Sequence, residues 1–223
     1  GKYGQPFEVQ INGDYVYVEN NTYMLNSKKL SGKNLELFKS YLGQFIPSKS
    51  NPLGQKLSKD IPNVKLFYKN DELIVGVIYE PNRDEMFYAW KNGGAYLNEN
   101  SISVSKTNKL SDSLLATGFP YYDYRRLEAY MDILQWLMHN SRGVRRIGSA
   151  AIDLAYVACG RFEAFYEYSL NPWDVAAGAL IVKEAGGSVT DFQGGKNYLF
   201  GSEIIASNKY MEAELLDKIK GSF

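Results

Sequence analysis

The chain has 223 residues and 25.2 kDa, with 25 basic and 25 acidic side chains and 45% apolar residues. That is enough apolar material for a real core, which excludes disordered and collagen-like classes. The balanced charge supplies no global attraction to nucleic acid or anionic lipid, so neither is an expected partner.

Residues 1–63 carry eight lysines against five carboxylates, Glu8, Asp14, Glu19, Glu36 and Asp60. Within them, Phe7 to Val18 alternates around Asn12-Gly13-Asp14 and predicts a hairpin. Leu35, Phe38, Leu42 and Phe45 predict a helix over 33–45, and the stretch from Pro47 to Pro62 reads as loop. From Val64 onward the signals sharpen. Val64 to Tyr68, Leu73 to Tyr79, Met86 to Trp90 and Ala95 to Leu97 predict an antiparallel meander. Tyr124 to Asn140 places Leu127, Tyr130, Met131, Leu134, Leu137 and Met138 on one helical stripe, with Gly143 as a stop. Ser149 opens a small-residue helix closed by Gly160, and Arg161 to Tyr168 alternates as a strand. A helix through Leu180 to Ala185 ends at Gly186-Gly187. Strands at 188–192 and 203–206 and a helix over 210–219 complete the pattern. Pattern alone supports a mixed α/β fold with helices covering sheet faces.

One cysteine, Cys159, excludes an internal disulfide, and one histidine, His139, excludes a multi-histidine zinc site. Any metal is therefore expected to be a hard cation held by oxygen. Cys159 lies on an Ala-Tyr-Val-Ala helix face and reads as core, and no Gly-x-Ser-x-Gly elbow occurs. No apolar run reaches the ~18 residues of a membrane span, and the N-terminus lacks a signal pattern. A soluble, cytoplasmic protein is expected, and the missing initiator Met suggests a processed or artificially set start.

The segment Asn171-Pro-Trp-Asp-Val-Ala-Ala-Gly-Ala-Leu-Ile-Val-Lys-Glu-Ala-Gly-Gly187 carries the most chemical information. Asp174 is expected at the helix N-cap, its carboxylate facing outward to a cation while Trp173 packs below. A plain capping Asp is the alternative. Glu167, on an otherwise aromatic strand, would join Asp174 in a polar pocket or be an exposed edge-strand residue.

Together with Arg145-Arg-Ile-Gly-Ser-Ala-Ala-Ile-Asp-Leu-Ala-Tyr-Val-Ala-Cys-Gly-Arg-Phe-Glu-Ala-Phe-Tyr-Glu167, this segment resembles the second signature of the inositol monophosphatase family, magnesium-dependent, lithium-sensitive phosphomonoesterases. The resemblance extends through Val75 to Phe87 and Gly93 to Asn98 and on to the last helix. It implies a layered α/β/α/β/α sandwich and hydrolysis of an inositol phosphate, or a related sugar or nucleotide phosphate, by a metal-activated water. It implies that Asp174 is catalytic, ligates Mg²⁺ and lies near a substrate hydroxyl, that Glu167 hydrogen-bonds a substrate hydroxyl, and that Gly148, Ser149 and Ala150 contact the polyol ring. Asp153 and Arg146 also match family positions; structural roles are expected for them, as a buried carboxylate and its charged partner.

The family's other acidic half, a Glu pair and an Asp-Pro-x-Asp-Gly-Thr motif, has no clear counterpart. The corresponding window reads Asn51-Pro-Leu-Gly-Gln-Lys-Leu-Ser-Lys-Asp60. Residues 1–63 thus form a divergent N-terminal segment and 64–223 the family-like region, expected as one structural domain. Weak magnesium binding follows, because a two-metal site needs several carboxylates. The expected partner is a small phosphorylated polyol, sugar or nucleotide, and a homodimer is compatible with the reading. The alternative function is a catalytically inactive family member that binds a sugar phosphate or a protein partner.

Overall fold

The computed structural model describes the backbone of residues 9–11, 14–19, 22–25, 63–69, 72–120 and 123–223, and side chains from residue 73 onward except 121 and 122. The expected helix over 33–45, the loop after it, and Gly54 and Asp60 lie outside the described residues.

The first sheet runs in chain order through β1 (Val9–Ile11), β2 (Asp14–Glu19), β3 (Thr22–Leu25), β4 (Asn63–Lys69), β5 (Glu72–Glu80), β6 (Glu85–Trp90), β7 (Ala95–Leu97) and β8 (Asn100–Ile102). Neighbours are antiparallel except β3 and β4, which meet in parallel. Ile11 pairs with Asp14, the register expected of an Asn-Gly turn.

The second sheet contains β9 (Leu114–Thr117), β10 (Gly143–Arg145), β11 (Ala164–Tyr168), β12 (Ser188–Thr190) and β13 (Glu203–Ser207), in the order β10-β9-β11-β13-β12. Its strands β9, β10 and β11 are parallel, which requires crossovers. Helix α1 (Leu127–Asn140) joins β9 to β10, α2 (Ala150–Ala158) joins β10 to β11, and α3 (Pro172–Glu184) joins β11 to β12; α4 (Glu212–Ser222) is last.

Helices α2 and α3 touch both sheets. Almost every residue of α2 is buried, as a helix between two apolar faces requires. This inner core includes Ile78, Phe87, Leu154, Val157, Phe165, Ile181 and Ile204. The two helices approach closely at Gly178, where a Cβ would lie 2.5 Å from Cβ of Leu154. On the other face of the second sheet, α1 and α4 enclose Leu115, Tyr130, Ile133, Leu137, Tyr166, Phe192 and Leu215. The stack is therefore sheet, helix pair, sheet, helix pair, a mixed α/β layering. A fifth layer would have to come from residues not described.

Some boundaries move. Helix α1 starts at Leu127 and buries Tyr130, Ile133 and Leu137, whereas Leu127, Met131 and Met138 are exposed. The sheet-facing stripe is rotated from the expected one because Ile133, not Met131, follows Tyr130 inward. The helix ends before Gly143, capped at Ser141. Strand β11 begins at Ala164 because the Arg161 and Phe162 N–H groups still donate to Tyr156 O in the turn that closes α2. The last helix begins at Glu212. Among the described residues no helix is long and apolar enough to cross a membrane.

Candidate functional site

From β9 the chain leaves for the α1 face of the second sheet, and from β10 for the α2 face, the topology that places a crevice outside the carboxyl ends of parallel strands; the cavity there is lined by Thr117, Phe119, Met138, Val144, Arg145 and Arg146. Glu167 sits beside it near the end of β11. Alternation sends Tyr166 and Tyr168 toward α1 and α4, and Phe165 and Glu167 toward α2 and α3. Because β11 lies between β9 and β13, Glu167 is not an edge residue and is only 5% exposed.

The carboxyl of Glu167 packs on the backbone of Gly118, just past β9. A Cβ there would fall 2.1 Å from Oε1 and 2.2 Å from Oε2. Burial is the main reason the Glu167 carboxyl is pushed up to about 8; the charge of Asp153 adds to it, Arg146 opposes it, and Asp174 adds further. Asp153, in the first turn of α2, is 1% exposed and is likewise raised to about 8 by burial against the pull of Arg146. Its Oδ1 has no hydrogen-bond partner. Arg146 thus serves both buried acids, and its guanidinium lies 5.6 Å from the Phe119 ring. Raised in this way, both carboxyls are held toward their neutral form, which can donate as well as accept a hydrogen bond.

Asp174 is not the N-cap of α3. Asn171 is, Pro172 takes the first turn, and Asp174 stands at the third helical position. Its Oδ2 accepts the Asn171 N–H at 2.9 Å while its own N–H donates to Asn171 O at 3.0 Å. The displacement follows from Pro172, whose fixed φ starts the helix early. Trp173 is 43% exposed rather than packed beneath the helix.

Gly148 has φ +100°, a conformation that favours glycine, and turns the chain into α2. Ser149 occupies the N-cap with extended backbone, but its hydroxyl makes no capping bond. The opening of α2, with Ala150 as its first residue, therefore keeps N–H groups that Ser149 does not satisfy. The structure brings Glu167 and Asp174 into electrostatic reach of each other, and places Gly148, Ser149 and Ala150 at the opening of the helix that carries Asp153.

Asp153 is the buried carboxylate beside Arg146 that the sequence predicts, whereas Gly118 is an addition of the structure. A lone acid in an otherwise apolar helix was the available signal for Asp153. Gly118 had none, since its contact with Glu167 spans 49 positions of chain. Cys159 is half-buried, its thiol raised chiefly by burial and donating to Tyr156 O at 3.6 Å, in keeping with a packing role.

No group of three or more acidic, histidine or cysteine side chains among the described residues could hold a metal ion. Asp174 offers one carboxylate, already accepting a backbone N–H, while Asp153 and Glu167 are held toward neutrality. A hard divalent cation needs more ionised oxygen than this, so the described residues do not by themselves fit one.

A layered mixed α/β fold with two buried acids, Asp153 and Glu167, set behind the ends of its parallel strands defines the class. Residues 64–221 match the model of the inositol monophosphatase family, and the chain belongs to that family. Nus factor SuhB of Escherichia coli strain K12 is 44% identical over 149 residues, which cover 65% of this chain and 56% of that protein. The inositol-1-monophosphatase of Mesorhizobium japonicum is 38% identical over 152 residues, covering 68% of this chain and 57% of its own. The crystal structure of extragenic suppressor protein suhB from Bartonella henselae superposes with a TM-score of 0.65 at 40% identity, over 69% of this chain and 58% of that one. The chain thus spans a little over half the length of the curated relatives it matches.

Proposed function

We propose that the crevice binds a small phosphate monoester of a polyol, sugar or nucleotide and supports its hydrolysis. The observation that carries the proposal is the Glu167 carboxyl, wedged on Gly118 and raised by burial, beside the opening of α2. Glu167 hydrogen-bonds a substrate hydroxyl, and its neutral form suits a partner that both gives and takes a hydrogen bond. The backbone at Gly148 and Ala150 and the Ser149 hydroxyl meet the remaining polyol oxygens. Asp174 orients the hydroxyl next to the phosphate, and its carboxylate would supply one oxygen to a divalent cation held mainly by groups beyond the described residues. In this proposal residues 1–63 and 64–223 form one structural domain.

The test is phosphate release from a panel of inositol, sugar and nucleotide monophosphates with and without magnesium. Metal-dependent release of at least one supports the proposal. Release from none, with the same esters still binding, supports the second reading: an inactive member that binds a sugar phosphate or a protein partner. One observation favours that second reading: the E. coli relative is named a Nus factor.

A further inference from the structure

We propose that Tyr130, on the outer helix α1, is a positioning residue for Glu167: its hydroxyl fixes the Gly118 backbone, and the Gly118 backbone fixes the Glu167 carboxyl. Tyr130 is fully buried and reaches through the second sheet's outer face. Its hydroxyl donates to Gly118 O at 2.8 Å, lies 3.3 Å from Tyr166 O and touches Thr117 Oγ1. Thr117 Oγ1 in turn donates to Tyr166 O at 2.8 Å. Two hydroxyl protons are therefore shared between the hydroxyl pair itself and two carbonyls, one on β11 directly before Glu167 and one on the residue against which the Glu167 carboxyl rests.

The geometry allows the Glu167 carboxyl little slack. It occupies the space a side chain at position 118 would take, so a shift of Gly118 is transmitted to the carboxyl by contact. The Tyr130 ring packs against Tyr166 and Tyr168, which holds the hydroxyl in place independently of its hydrogen bonds. Burial also raises the Tyr130 hydroxyl, which keeps it protonated as a donor. A phenylalanine at 130 would keep this packing and take the 2.8 Å donor from the Gly118 carbonyl, leaving it only the Thr117 hydroxyl at 3.4 Å.

The experiment uses the full chain with glutamate carboxyls labelled with carbon-13, the Glu167 resonance being the one lost in Glu167→Gln. Tyr130→Phe and Gly118→Ala are expected to shift that resonance. Tyr168→Phe is the control, because it removes a neighbouring hydroxyl whose bond goes to Asp123 O instead. An unmoved resonance in Tyr130→Phe, or an equal shift in Tyr168→Phe, overturns the positioning role.

A second arm rests on the hydroxyl-binding reading of Glu167 and compares binding of inositol 1-phosphate with phenyl phosphate. Tyr130→Phe is expected to reduce the preference for the polyol ester about tenfold, the equivalent of one hydrogen bond. Combined with Glu167→Gln, it should add no further loss. Additive losses count against the proposal. A wild type without any preference overturns the reading of Glu167 as a hydroxyl ligand, while the resonance still decides the role of Tyr130.

Discussion

Asp153 and Glu167 are two buried carboxyls on different elements, helix α2 and strand β11, close enough that the charge of one raises the other, and both feel the same arginine, Arg146. This arrangement ties the stability of the fold to the protonation of its crevice.

Both groups sit near 8 when folded and near 4 when unfolded, so between these values the folded chain holds protons that the unfolded chain has released. Their contribution is fully present below about pH 4 and is lost as pH rises through about 8, with a slope of about 1.4 kcal/mol per pH unit per group. Urea unfolding should show the midpoint falling from pH 5 to pH 8. Asp153→Asn should flatten the fall and be more stable than wild type at pH 8. A pH-independent midpoint would contradict the burial of this pair.

The capping bond of Asp174 can be separated from its proposed part in turnover. Asp174→Asn keeps an oxygen that can accept the Asn171 N–H, and should melt close to wild type. Asp174→Ala loses that acceptor and should cost about 1 kcal/mol, roughly 2–4 °C in melting temperature. Both should lower magnesium-dependent turnover by orders of magnitude. Calorimetry on the two variants checks the first part, and equal melting of the pair would show that the bond to Asn171 contributes nothing.

Gly178→Ala sets two effects against each other. Alanine gains about 1 kcal/mol of helix propensity over glycine, but its Cβ would lie 2.5 Å from Cβ of Leu154, which forces α2 and α3 apart. Overpacking typically costs about 1–3 kcal/mol, and here the clash meets the base of a side chain rather than its flexible end. Net destabilisation is expected in thermal unfolding, and a stabilised variant would show that the helix pair can separate freely.

Magnesium without substrate should bind weakly, because among the described residues no group of three or more acidic side chains gathers to hold it. Calorimetric titration should show no saturation in the micromolar range. Tight binding would reveal a donor set in residues 1–62 that neither the sequence nor the described structure exposes.

Much of the second half was legible in the sequence because its signals are local. The Asn171-to-Gly187 segment announces a helix with Pro near its start and Gly after its end, and alternation around Glu167 announces a strand. The resemblance to the inositol monophosphatase family was readable from the same motifs, and the match over 64–221 agrees with it. What remained hidden depends on distant contacts. The face of α1 was misjudged because Tyr130 and Leu137 fit two overlapping stripes, and only packing against the sheet selects Ile133 over Met131. Asp174 was placed one role too early because Asn171 and Asp174 are both good capping residues, and Pro172 decides between them. The seat of Glu167 on Gly118 joins two strands adjacent in space but far apart in sequence.

The most direct test of the central claim is the rate of phosphate release from inositol 1-phosphate across a magnesium titration, for wild type, Asp174→Asn and Glu167→Gln. A polyol-phosphatase crevice predicts magnesium-dependent release by the wild type, its near-complete loss in Asp174→Asn, and a fall in Glu167→Gln that is larger for inositol 1-phosphate than for phenyl phosphate. Identical rates for all three proteins at every magnesium concentration would contradict it.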